Sequence, residues 1–245
     1  MFRQAKCLLK MKLLATCRHF WFKRTCHTLS TCMLIQNTTE QTRDHLTPEI
    51  VLRLITPNCK LWYSKGDDLP YPDPYWAFYW PGGQALTRYI LDNKHIFRDK
   101  NIIDVGSGCG ASAIACRVAG ARKVVANDID KVAIEAIKLN AAANEVDVCV
   151  SSDNLIGSVH SDWNILLLGD MFYDSHFVNI ISEWIPQLAR NGVSVYLGDP
   201  GRISLMEHPL VLKLNLLCKY KLPENCLREN NGMDTCCVWE FCDRC

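Results

Sequence analysis

From residue 101 to residue 198, short apolar runs alternate with stretches of helical period, and this alternation constrains the fold more than anything else in the chain. The runs Asn101–Val105, Lys123–Asn127, Val146–Val150, Trp163–Gly169 and Val193–Gly198 read as strands. Ala111–Ala119, Val132–Ala143 and His176–Ala189, between them, read as helices. Strands separated by helices must pair in parallel, with helices on both faces of the sheet. The ending differs. After a helix near Ile203–Val211, two strand-like runs follow, Leu214–Leu222 and Thr235–Phe241. Pro223 to Asp234 joins them, with turn chemistry at Asn230-Asn231-Gly232; no helix is expected there, so the runs should pair as an antiparallel hairpin. The expectation is an α/β fold around a seven-stranded, mostly parallel sheet.

Upstream the pattern is weaker. Glu49–Ile55 suggests a short helix, with Thr47 as N-cap and Pro48 at its first position. Residues 62–80 concentrate eight aromatics (Trp62, Tyr63, Tyr71, Tyr75, Trp76, Phe78, Tyr79, Trp80) among prolines, so an irregular segment is expected, followed by a helix over Gln84–Asn93. A lid over a core and a ligand-facing wall both fit such a loop.

Asp104-Val-Gly106-Ser107-Gly108-Cys-Gly110 follows the first strand and opens a helix. Glycines there allow a tight turn and close backbone approach to a ligand. A dinucleotide loop reads G-x-G-x-x-G; here the spacing is G-x-G-x-G with Ala111 next, which is not the usual pyrophosphate arrangement and speaks against a nicotinamide reductase. Asp104 adds negative charge, which favours a cationic ligand group such as the amino-acid end of S-adenosylmethionine (SAM). The second strand ends in Asn127-Asp128-Ile-Asp130, and a carboxylate there can accept both ribose hydroxyls of an adenosine. Asp128 can instead cap the next helix, although Asp130 is better placed to do so. The third strand ends near Ser151-Ser152-Asp153-Asn154, within reach of an adenine, and the fourth at Gly169-Asp170-Met-Phe-Tyr173-Asp174. Asp170, Asp174 and Ser175 all compete to cap the helix that follows.

Charge divides the chain. Residues 1–39 hold seven basic residues and no acid, and residues 40–245 hold 20 basic against 26 acidic residues, a net charge of −6. An acidic body argues against nucleic acid as partner. The amphipathic, acid-free N-terminus reads as a mitochondrial transit peptide, with a disordered basic arm as the alternative. No run of 18 apolar residues occurs, so no spanning helix is expected. The 14 cysteines read as mostly reduced, because a chain this long and 49% hydrophobic needs no disulfide scaffold. Cys242-Asp-Arg-Cys245 lacks a second pair at zinc spacing, so it reads as a tail.

Tyr75-Trp-Ala-Phe-Tyr-Trp-Pro-Gly-Gly-Gln84, the glycine loop, Ala126-Asn-Asp-Ile-Asp130, Gly169–Asp174 and Gly198-Asp-Pro-Gly-Arg202 together resemble the seven-β-strand, class I methyltransferases. Within them the chain is similar to the methyltransferase-like protein-lysine methyltransferases, from about Leu46 to Trp239. The resemblance implies a Rossmann-like SAM methyltransferase core over residues 100–245 and an N-terminal extension with the aromatic loop over 40–99, ahead of which residues 1–39 are the transit peptide read from their charge. It implies methyl transfer from SAM, without a metal, to lysine side chains of the electron transfer flavoprotein beta subunit in the mitochondrial matrix. Another mitochondrial protein, an RNA or a small-molecule amine is the alternative substrate, and a non-catalytic SAM-binding module the alternative role. It also implies site roles: Trp80 beside the cofactor, Asp104, Gly106, Ser107, Gly108 and Gly110 at its methionine end, Asp128 at the ribose, and Asp153 at the adenine. Asp170 and Tyr173 would line the channel where the target lysine meets the methyl group, and from their place at the end of the fourth strand Asp170 is expected to orient the amine and Tyr173 to shape the channel. Oligomeric state stays open, with a monomer as the working expectation.

Overall fold

The computed structural model describes residues 30–64, 70, 71, 73–159, 162–227 and 232–242. Residues 30–38 form helix α1, followed by strand β1 (Glu40–Thr42) and strand β2 (Leu52–Leu54), which pair antiparallel. Short 3-10 turns at Lys60–Tyr63 and Tyr75–Ala77 carry the aromatic segment. Then come α2 (Pro81–Asp92), α3 (Lys94–Phe97), β3 (Asn101–Val105), α4 (Ala111–Val118), β4 (Lys123–Asn127), α5 (Lys131–Ala143) and β5 (Cys149–Ser151). The chain continues through β6 (Ile165–Gly169), α6 (Ser175–Arg190), β7 (Ser194–Asp199), α7 (Ile203–Met206), β8 (Leu214–Lys221), α8 (Glu224–Leu227) and β9 (Thr235–Phe241).

The main sheet has seven strands in the order β5-β4-β3-β6-β7-β9-β8. β5 to β7 run parallel, and β9 runs antiparallel to both β7 and β8. This is the sheet expected from the alternation, hairpin included. Period-two side chains divide its core. Ile102, Ile165, Leu167 and Tyr196 pack on one face with α2, α4 and α5; Ile103, Leu166, Leu168, Val195 and Leu197 pack on the other with α6. Each such Ile or Leu removed from water contributes roughly 1.5–3 kcal/mol.

Four local expectations are corrected. The segment Glu49–Ile55 contains a strand rather than a helix: Leu52 and Leu54 are buried and Arg53 is not, a period of two. Side chains of α5 hold it extended, because Asn140 Oδ1 accepts from Arg53 N at 2.8 Å and Asn144 Oδ1 from Val51 N at 2.9 Å. Helix α2 begins at Pro81, not Gln84, and takes in both glycines. The helix expected over Ile203–Val211 stops at Met206, and a 3-10 turn starts at Pro209, whose ring cannot continue it. The connection between the last two strands holds one helical turn, α8, just after Pro223.

Most of the proposed leader lies outside the described residues, but its last part does not. In α1, Ile35 is fully buried against Ile55, Tyr71, Trp76, Ala133 and Ala136, and Thr38 Oγ1 lies 2.9 Å from the Tyr71 hydroxyl.

Candidate active site

Strands β5, β4, β3 and β6 lie side by side, and the polar segments expected at a site follow their C-terminal ends in that order. The connections diverge between β3 and β6, the switch point where open α/β sheets bind ligands.

The loop after β3 turns through three residues of positive φ: Gly106 (68°), Gly108 (54°) and Gly110 (83°). A Cβ on Gly106 would collide with the Met171 thioether, and one on Gly110 would press Ile137 at 3.1 Å. The carboxylates around this loop hold it in shape. Asp104 accepts from Ser107 Oγ at 2.5 Å, and burial pushes its pKa up to about 6. Asp128 Oδ2 accepts from Gly108 N at 2.9 Å and Oδ1 from Asp130 N at 3.0 Å. Burial raises Asp128 as well. Asp130 caps α5 through Val132 N at 2.8 Å, which leaves Asp128 to the loop. Asp153 is exposed after β5 and is steadied by Ser151 Oγ at 3.0 Å. Asn127, which the sequence reading passed over, donates to Ser151 O (3.0 Å) and Asp153 O (2.9 Å), tying the β4 and β5 ends together. The signal was a polar residue closing an apolar strand.

The aromatic segment covers the glycine loop, and a Cβ on Gly108 would come within 3.9 Å of Trp76 Cα. Trp76 is buried, whereas Trp80 is half-buried and donates from Nε1 to Tyr75 O at 2.9 Å. The lid reading holds for Tyr71, Trp76 and Tyr79, which are buried, whereas Tyr63 and Tyr75 are exposed.

Asp170 is turned inward. Its φ is +57°, the left-handed region that short polar residues tolerate best, and its side chain is almost wholly buried. Arg202 donates to Oδ1 through Nε at 3.0 Å and Nη2 at 2.5 Å, while the Gly82 N–H donates to Oδ2. Burial raises the Asp170 pKa, opposed by Arg202 and by the Gly82 and Gly83 N–H groups. Trp80 makes no side-chain cap for α2, so a carboxylate 88 residues away caps that helix instead. The glycines make the crossing possible: a Cβ on Gly198 would overlap the Gly82 carbonyl, and one on Gly169 would meet Gly83 Cα at 3.0 Å. Arg202 received no role in the sequence reading; its signal was its place at the end of the Gly198–Arg202 motif. Tyr173 faces out, stacked on Phe177 at 5.4 Å, and Asp174 caps α6 through His176 N at 2.7 Å.

The donor set fits SAM. Residues 104–110 carry a carboxylate and no cation, suited to an ammonium and a sulfonium, and Asp128 stands where a ribose diol would be accepted. Among the described residues no group of His, Cys, Asp and Glu could hold a metal, and no helix is long and apolar enough to cross a membrane.

The family model of ribosomal protein L11 methyltransferase matches residues 84–203. A Xenopus laevis electron transfer flavoprotein beta subunit lysine methyltransferase is 45% identical over 221 residues, 89% of this chain and 89% of that protein. The Homo sapiens protein of that name is 42% identical over 210 residues, covering 85% and 80%. The solved structure of a candidate RNA methyltransferase from Pyrococcus horikoshii shares the fold at a TM-score of 0.51 and 15% identity, over 74% of this chain and 94% of that one.

Proposed function

Since the chain belongs to the electron transfer flavoprotein beta subunit lysine methyltransferases, we propose that it methylates lysine side chains of that subunit, using SAM. The observation that carries this is identity of 45% across 89% of both chains, with the SAM-type polar residues on four adjacent strand ends.

When bound, SAM supplies a methyl carbon made electrophilic by its sulfonium. Gly106, Ser107, Gly108 and Asp104 would hold its methionine end, Asp128 its ribose, Asp153 its adenine, and Trp80 would flank it. The protein's own task is to present a neutral amine in line. A lysine with a reference pKa of ~10.4 is almost all ammonium near neutral pH, so it must lose a proton on entering the site. Asp170 already accepts from Arg202 and Gly82, so it acts as a positioning residue: it fixes the mouth of α2 and the loop after β7 around the amine. Much of the rate then comes from orientation. Asp170→Asn is expected to keep SAM affinity, measured by calorimetry, and to lose most methyl transfer. Unchanged turnover would remove Asp170 from the mechanism.

We also place the protein in the mitochondrial matrix, on the strength of the basic, acid-free N-terminus. Burial of Ile35 supports processing upstream of residue 30 rather than at residue 39. N-terminal sequencing of imported protein tests this; a mature chain starting after residue 39 would refute it.

For the substrate, the chain from residue 30 with radiolabelled SAM would be added to mitochondrial extract from cells lacking the enzyme. One labelled band at the mass of the flavoprotein beta subunit, with label on lysine, is expected. Labelled RNA or a labelled small molecule would overturn the substrate but not the chemistry.

A further inference from the structure

The glycine loop is costly to hold in one shape. Glycine gives up more backbone freedom on folding than any other residue, and Gly106, Gly108 and Gly110 all sit at positive φ. Asp104 and Asp128 fix the start of the loop through Ser107 and Gly108. Two further ties reach the loop at Gly108 and Cys109, and both lead back to the N-terminal extension.

The first tie is a single side chain. Asn140 is fully buried on α5; its Nδ2 donates to Cys109 O at 2.8 Å, while its Oδ1 accepts from Arg53 N of β2 at 2.8 Å. One amide therefore joins β2 to the glycine loop. One turn further along α5, Asn144 makes both bonds to the Val51 backbone, at 2.9 and 2.7 Å, which fixes the chain entering β2 in register along the helix. The second tie runs through rings. Thr38 Oγ1 of α1 lies 2.9 Å from the Tyr71 hydroxyl, Tyr71 meets Trp76 edge-on at 5.4 Å, and the Trp76 backbone backs Gly108. Ile35, Ile55, Ala133 and Ala136 complete the buried cluster around Trp76. Ile55 N donates to Ala77 O at 2.9 Å, fastening the Trp76 turn to the chain just after β2. Trp76 Nε1 is buried with no hydrogen-bond partner among the described residues, so packing rather than a side-chain bond places the indole.

We propose that Asn140 and Trp76 are positioning residues for the cofactor, through which β2 and α1 hold the glycine loop in its binding shape, so that the N-terminal extension sets the affinity for SAM. This rests on the SAM reading above. A loop that holds its binding shape only part of the time binds more weakly in proportion. If loosening the extension leaves about a tenth of the molecules competent, the apparent Kd rises about tenfold.

The test uses the full chain, with SAM binding by calorimetry and initial rates on recombinant electron transfer flavoprotein beta subunit. Asn140→Ala and Ile35→Ala are set beside Leu188→Ala as a control. Leu188 is fully buried near the end of α6, where its carbonyl accepts from Val193 N just before β7, at the opposite end of the sheet from the glycine loop. All three variants lose buried contacts and should lower Tm. Only Asn140→Ala and Ile35→Ala are expected to weaken SAM binding, by about tenfold, with KM for SAM rising in step and KM for the protein substrate unchanged. Mere loss of folded protein would lower kcat and leave both KM values alone. An unchanged Kd for SAM in Ile35→Ala, or equal weakening in Leu188→Ala, would overturn the proposal, and Ile35→Ala decides it if Asn140→Ala does not fold. Wild type that binds no SAM would overturn the SAM reading and the proposal with it.

Discussion

Asp199 shows how a single buried residue can report on the site. It is fully buried at the end of β7; Oδ1 accepts from Gly201 N (2.7 Å) and Arg202 N (2.8 Å), and Oδ2 has no hydrogen-bond partner among the described residues. Burial, with the Asp170 charge adding to it, lifts its pKa from 3.8 to about 7. As pH rises, the unfolded chain loses this proton first, so the stability present below the unfolded pKa is lost progressively between about pH 4 and pH 7. Asp199→Asn keeps the two accepted bonds and cannot ionise. Its Tm relative to wild type should therefore climb across that window, and a constant difference would contradict the assignment. Arg202 is the complementary case. Removing it as Arg202→Ala leaves the buried Asp170 carboxylate without its cation, at a cost of about 3 kcal/mol. Urea denaturation measures that loss, and methyl transfer should fall further than stability does.

At the scale of elements, short-range chemistry was legible and long-range chemistry was not. Asp130 and Asp174 cap helices that begin at the next residue through N–H groups two positions on, so the cap at Asp130 could be read directly and that at Asp174 narrowed to three neighbours. The start of helix α2 could not, because it depends on Gly82 and Gly83 lying against Gly169 and Gly198 on other strands. An interior glycine costs a helix roughly 0.8–1.0 kcal/mol relative to alanine, so glycine reads as a breaker until its close contact is seen. Helix α1 makes a prediction at this scale. A chain beginning at residue 30 keeps Ile35 in its cluster, and one beginning at residue 40 loses that burial and the Thr38–Tyr71 bond. The shorter chain should be less stable by about 3 kcal/mol in chemical denaturation. Equal stabilities would mean that α1 merely rests on the surface.

For the molecule as a whole, the sheet order brings four loops, scattered from residue 104 to residue 174, onto one edge of the structure. A ligand spanning them stabilises the folded state by mass action, about 2.7 kcal/mol at a hundred times its Kd. Saturating SAM should therefore raise the Tm of wild type. Asp128→Ala removes the Gly108 bond and, on the proposed SAM site, the carboxylate that would accept the ribose, and should abolish that rise. A full shift in the variant would take Asp128 out of the cofactor site.

The sequence by itself determined the seven strands and their hairpin ending, the glycine loop and the carboxylates that follow the strands. Those signals lie within one element or one turn, where side-chain period and backbone geometry act locally. Tertiary structure alone decided that Leu52–Leu54 is a strand, that α2 takes in its glycines, and that Asp170 faces Arg202 and Gly82. Those bonds join residues 32 to 93 positions apart. Such partners meet only once the sheet has closed, and a buried carboxylate then turns to whichever donors the closed sheet provides.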